Sequence, residues 1–508
     1  MRMSSWLRSA RSLFVPAGTK KAHGTMRAPL ARLRVEPLED RTVPSTFMVD
    51  NLADSGTGSL RQAVLDANAN PGADLISFAP AARDGTIALN GGQLSITDDL
   101  TIDGPGADRL AVSGNNASRV FQINSGVAVN IDGLTVTHGR AVGQGGGILN
   151  AGTLTVSHAI LSDNQVFGLP GASLTAVVDA FGGGIFNKGT LTVSHSTFVH
   201  NQSIGADGTP SSIGSSALGG AIMSSGTASA PATATVSYST FLDNQAIGGA
   251  AGVGASRGGV GGAINNATGT FTVSHSVFHD NQAVGGLDNG VSGGFGAGVG
   301  GAISNVARFG DAILAVSHST FLDNRAIGGA AGAGPHGQTG RGGAIANYIF
   351  GGAAIPVTVA ATARIDHCTI LGNQAVGGAG PTGGTGQGGG IENENGGVLT
   401  VSDSLIALNQ AIGGAGDGGN GGNGLGGGVF NGGPSPVGTP SLTLQRSIVV
   451  FNQADGGASV GGSAGSGVGG GLYLSLGGVA SADPWTFIFA NDASTSDNEV
   501  FGVFSTDC

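Results

Sequence analysis

The chain has 508 residues and a formal net charge of −11, with 98 glycines, 40% apolar residues and only 10% charged ones. Regularly placed apolar residues exclude a disordered polyelectrolyte, and the lack of a Gly-X-Y period excludes a collagen-like rod. Residues 1–41 hold nine Lys/Arg against three Asp/Glu, while the rest is acidic and carries one lysine, Lys188; a body without basic patches or aromatic platforms excludes nucleic acid as a partner.

Residues 1–45 read as a basic leader. The apolar runs Trp6-Leu7 and Leu13-Phe14-Val15 are too short for the core of a secretory signal. At Leu33–Ser45 the chain reads LRVEPLEDRTVPS. This resembles the Glu-Pro-Leu-Glu-Asp-Arg stretch near the start of many predicted exported or surface proteins of planctomycete bacteria. The resemblance implies export, to the cell surface, the outer membrane or the medium.

Residues 46–74 are expected to form an N-terminal cap. Phe47–Val49 is a candidate strand. Ser59 caps a helix over Leu60–Ala69, with Leu60, Ala63, Val64 and Ala67 on one face, and Asn70-Pro71-Gly72 stops it. Such a helix fits a plug over the open end of a solenoid. Residues 55–78 also resemble the N-terminal segment of many bacterial surface β-helix proteins. From Leu75 to Val136, short β-runs recur every 7–12 residues. Asp132 and His138 show the six-residue gap that marks the later repeats, and are read as the first marked rung.

Eight repeats fill residues 144–457. Each has a Gly-Gly-Gly or Gly-Gly-Ala step, an aliphatic residue, an alternating run, and then an Asn: Asn164, Asn201, Asn244, Asn281, Asn324, Asn373, Asn409 and Asn452. Six residues before each stands His158, His195, Tyr238, His275, His318, His367, Asp403 or Arg446. The period varies from 36 to 49 residues, but this gap never does. Two before the His-like residue is always branched and apolar, and three after it always apolar, so the facing phase slips once, as at a corner between strands. The expected fold is all-β: a right-handed parallel β-helix over 75–482, about ten or eleven rungs with three short strands each. The pairing of Gly-Gly-Ala-Ile with Phe-x-x-Asn resembles the polymorphic outer-membrane protein repeats of chlamydiae, which implies this same fold.

Length variation is confined. From the aliphatic residue to the His-like residue the count runs from 10 to 22, whereas from the Asn to the next aliphatic residue it stays between 18 and 22. A floppy linker has no reason to hold its length, so these glycine-rich stretches, such as residues 410–428, are expected to stack as one ordered layer. The aromatic-rich stretch 483–508 is expected to cap the far end or trail as a tail.

For chemistry, the asparagine column is read as a structural ladder. The column of His158, His195, His275, His318 and His367 is read as corner polar residues, since Tyr238, Asp403 and Arg446 interrupt it as a metal-ligand set. Asp163, His200, Asp243, Asp280 and Asp323 form a strip that could attract Ca²⁺, but solvated turn aspartates account for it, and no cofactor is expected. Cys368 and Cys508 make neither a disulfide framework nor a metal motif, and no apolar run is long enough for a transmembrane helix. The largest departure from the repeat, Tyr348–Arg364, is an apolar insertion without an acid pair. No catalytic residue is assigned. The expectation is a monomeric, non-enzymatic structural or adhesive scaffold contacting polysaccharide or envelope components; the alternative is a carbohydrate-active β-helix enzyme, a polysaccharide lyase or glycoside hydrolase.

Overall fold

The structure, a computed structural model, describes residues 44–173, 176–252, 257–289, 296–350, 359–433 and 438–506. The leader up to residue 43 and Cys508 lie outside them. Each central repeat contributes four short strands. In one repeat these are Ile185–Asn187, Thr190–Ser194, Thr197–Val199 and Gln202–Ile204. Each pairs in parallel with its counterpart one repeat on: Ile185 with Ile222, Val193 with Val236, Phe198 with Phe241, Gln202 with Gln245. The four strands stack into four walls, and the chain is a right-handed parallel β-helix. Among the described residues the third and fourth walls are sheets of 12 and 10 strands; the first and second are joined through Ile264–Ser274, which belongs to both. The fourth wall adds a strand that the sequence does not separate. Its Gln-Ala-Ile pattern alternates over three residues only, too short for a periodicity to register.

The repeat's apolar positions fill the interior. Phe198, Phe241, Phe278 and Phe321 are fully buried and stack ring on ring at 4.7–4.8 Å, the rung spacing itself. At the amino-terminal end, a helix, α1 (Leu60–Ala69), closes this core with Leu60, Ala63, Val64 and Ala67. Its cap is Ser59, whose hydroxyl accepts from the Gln62 amide and donates to Gly56 O. At the other end, Phe487–Phe489 and Val500–Phe501 pair in parallel with the preceding rung, so where a cap or tail is expected the stack continues through Thr506.

The glycine-rich stretches form a fifth element outside the first wall. Two-residue strands, Ala217–Leu218, Gly259–Val260, Gly298–Val299, Gly340–Arg341 and their successors, pair into an eight-stranded strip. Neighbouring loops also exchange backbone hydrogen bonds, such as Gly378 N to Gln338 O and Gly414 N to Gly384 O. A Cβ on Gly340 would fall 2.3 Å from Val376 O, which is why glycine stands at this position. Phe186, Leu218, Met223 and Val299 make a second core between strip and wall. The first wall is therefore buried on both faces.

Candidate functional site

The His-like residues occupy the sharp corner between the second and third walls. There the backbone turns through the left-handed region, with φ of 46–50° from His158 to Arg446. Non-glycine residues in that conformation are strained, and here the turn throws each ring outward. His158, His195, Tyr238, His275, His318 and His367 form one exposed, continuous stack, with centroids 4.7–5.2 Å apart and planes within 18°. Stacked rings cover each other's faces, so what this column presents to solvent is ring edges: imidazole nitrogens and one phenol oxygen.

The rung before the column is shifted by one residue from the expectation. Asp132 pairs with Ser157, not His158, and Gly133 takes the corner with φ of 60°. Likewise Gly139, not His138, stands in the asparagine column, its amide donating to Asn164 Oδ1 at 2.9 Å. A six-residue gap survives a one-residue slip; the side chains change role. Asp132 thereby reaches His158 Nδ1 at 2.9 Å and accepts from Ser157 Oγ at 2.5 Å. Burial works against its carboxylate, but Ser157 and His158 outweigh that and hold its pKa below the ordinary value. Beside it the loop Gly104–Asp108 and His195 shape an open cleft of about 570 Å³, where the ring column begins.

At the far end, His367 Nδ1 lies 2.9 Å from Asp366 Oδ2, and Asp366 Oδ1 accepts from Ser402 Oγ at 2.5 Å. Asp403 continues the column and is gripped by Arg446, whose Nε and Nη2 donate at 2.7 and 2.6 Å. Asp366, His367 and Asp403 lie close enough to share a cation, yet every carboxylate oxygen here already has a partner. The bonds from Ser402 and His367 lower the pKa of Asp366, and Arg446 lowers that of Asp403. At the next corner, His200 sits between Asp163 and Asp243 at 3.6 and 3.7 Å, and His279 between Asp280 and Asp323 at 3.3 and 3.7 Å.

The eight asparagines are fully buried. Each donates from Nδ2 to Oδ1 of the next, at 2.9–3.0 Å, from Asn164 through Asn452 to Asn491. A second ladder lies in the first wall: Asn150 to Asn187, and Asn266 through Asn305, Asn347 and Asn393 to Asn431. Its signal was visible, since an Asn stands two residues after the aliphatic residue of most repeats.

Sequence reasoning also missed a polar interruption of the second core. Along the outer face of the first wall, Phe186 and Met223 give way to Asn265, Ser304, Ala346 and Glu392 before Phe430 restores the apolar run. In the strip above, Val299 gives way to Arg341 and Gln387 before Leu425. The Tyr348–Arg364 insertion holds no acid pair, but one lies a rung on. Glu392 and Glu394, two residues apart on one strand, share the outer face, with Tyr348 beside Glu394. A pattern confined to one repeat does not reveal it, because its partners come from the next.

No family model matches this chain, and no curated protein matches it. Among solved structures, it is similar to a mannuronic-acid-specific polysaccharide family 6 lyase from human gut microbiota, at 9% identity over 91% of each chain with a TM-score of 0.35. It is also similar to the catalytic unit of a GH87 α-1,3-glucanase from Streptomyces thermodiastaticus strain HF3-3, at 14% identity over 78% of this chain and 67% of that one, TM-score 0.35. Among the described residues no helix is long and apolar enough to cross a membrane.

Proposed function

We propose that this protein is an exported β-helix wall that binds a neutral polysaccharide lengthwise along the ring column, without cleaving it. The observation that carries the reading is the column itself: hydrogen-bonding ring edges, evenly spaced over six rungs, exposed, and opening at one end into a cleft. A repeating ligand suits a repeating surface, since one sugar hydroxyl per rung can meet one ring edge, and many weak contacts add along a rigid array. The acidic body repels an anionic glycan unless a cation intervenes. Export rests on the leader at 33–45.

A second reading, a carbohydrate-active enzyme, is favoured by the cluster of Asp366, His367, Asp403 and Arg446. Acids, a base and a guanidinium meet there at an exposed corner, where the ring column ends and the repeat departs from its rule. The two similar solved structures are such enzymes; a likeness of fold alone decides for neither reading.

The test is a panel of neutral and acidic polysaccharides offered to the full chain, with and without Ca²⁺, scored for binding and for new sugar ends. Binding of a neutral glycan without release supports the wall. Release of unsaturated or reducing ends, lost in Asp403→Asn, installs the enzyme in its place.

A further inference from the structure

The buried acid pair under the strip has a charge balance that needs explaining. Glu392 is fully buried, and neither of its carboxyl oxygens has a hydrogen-bond donor. Glu394 is nearly as buried and is ion-paired with Arg341 Nη1; the same nitrogen stands 3.9 Å from Glu392 Oε1, too far to donate. The facing groups are Tyr348 from the adjoining rung of the wall, Arg341 and Gln387 from the strip, and Arg308 at the end of the neighbouring strand. Of these, burial pushes the Tyr348 phenol up to about 12, so it stays neutral. Arg308 is exposed and lies over the rings of Phe309 and Phe350, so two carboxylates against one engaged guanidinium leave one negative charge without a partner, in a layer where an unpaired charge costs several kcal/mol.

We propose that Glu392 and Glu394 hold a single proton between them, Glu392 carrying it as a hydrogen-bond donor to the Glu394 carboxylate, with Arg341 as counter-charge. The two glutamates stand two residues apart on one face of one strand, and the same Arg341 nitrogen approaches both carboxyl groups; two such acceptors can bond only through a proton. Burial and the neighbouring Glu394 both raise the Glu392 pKa well above its ordinary value, with Arg341 opposing. The pair then acts as a latch. While protonated it joins the wall to the strip at Gly340–Arg341 and Gly386–Gln387. Once the proton leaves, the strip must lift to admit water. The sign follows from linkage: the native state keeps a proton that the unfolded chain releases near pH 4.5, so the contribution is complete below that pH and is lost as pH rises through the folded value.

The experiment uses the full chain and its Glu392→Gln variant, which keeps the shape and the donor without the titration. An infrared difference spectrum at neutral pH is expected to show the carbonyl stretch of a protonated carboxyl in the wild type only. Below the folded titration point, opening of residues 340–345 and 386–391, read by hydrogen exchange corrected for its intrinsic pH dependence, should rise about tenfold per pH unit in the wild type, level off above that point, and stay level in the variant. If Glu392→Gln does not fold, Glu394→Gln serves: Glu392 then ionises against Arg341 and the band vanishes. A wild type without the band overturns the proposal, as does equal pH-sensitivity of both proteins, or a requirement for sodium or potassium in place of the proton.

Discussion

Each corner imidazole sits in a backbone conformation that glycine adopts more easily, so the side chain is kept for something other than stability. His275→Gly relieves that strain and loses two ring stacks worth about 0.5–1.5 kcal/mol each. The melting temperature is therefore expected to change little, while glycan affinity falls because the column is cut in two. Binding unaffected by this substitution would remove the column from the function. The asparagines behave oppositely. Asn281 Oδ1 accepts from both Asn244 N and Asn244 Nδ2, at 3.1 and 2.9 Å, in a fully buried site. Asn281→Ala orphans the Asn244 backbone N–H and leaves Asn244 Nδ2 with Phe198 O alone, at about 1–3 kcal/mol for the buried donor left unpaired, and denaturant unfolding should show a loss of that order. Both columns were legible, because side chains recurring at a fixed offset announce a stacked position. What each faces was not: Glu392 and Glu394, in a strand reading Ile-Glu-Asn-Glu, look solvated until a strip from elsewhere in the chain covers them.

Among the elements, α1 was legible to the residue, since Ser59, the apolar spacing and Asn70-Pro71-Gly72 are local signals. Ser59→Ala removes the cap of a plug and should cost about 1 kcal/mol, seen first as faster exchange in Leu60–Ala69. The third wall offers a larger effect. Phe278 is fully buried between Phe241 and Phe321. Phe278→Ala opens a void that neighbours held at the rung spacing cannot collapse into, so a loss of about 3–5 kcal/mol is expected, measurable as a lowered denaturation midpoint. The fourth strand of each rung and the shifted register at Asp132 escaped for one reason. Three-residue strands carry too little periodicity, and parallel register is fixed by vertical partners some forty residues away.

On the scale of the whole molecule, opposing titrations bracket stability. Asp366 is held below its ordinary pKa by Ser402 and His367, and in Asp132 the bonds to Ser157 and His158 outweigh burial in the same direction. Their contributions are present above the unfolded carboxylate value and fade as pH falls through the folded one. Glu392 acts from the alkaline side. Thermal unfolding across pH should therefore give a maximum between the two, and Glu392→Gln should extend only its alkaline limb. Symmetric retreat of both limbs in that variant would mean that the pair is not a separate titration.

The asparagine ladder has a direction. Every amide nitrogen points toward the carboxyl-terminal rungs and every oxygen toward the amino-terminal ones, and the last donor, Asn491 Nδ2, ends on Glu499 Oε2 at 2.7 Å. The ladder of the first wall runs the same way. Hydrogen-bonded amides aligned head to tail polarise one another, so the β-helix carries a dipole along its axis much as an α-helix does. Glu499 stands at its positive pole, as an acid stands at a helix amino terminus.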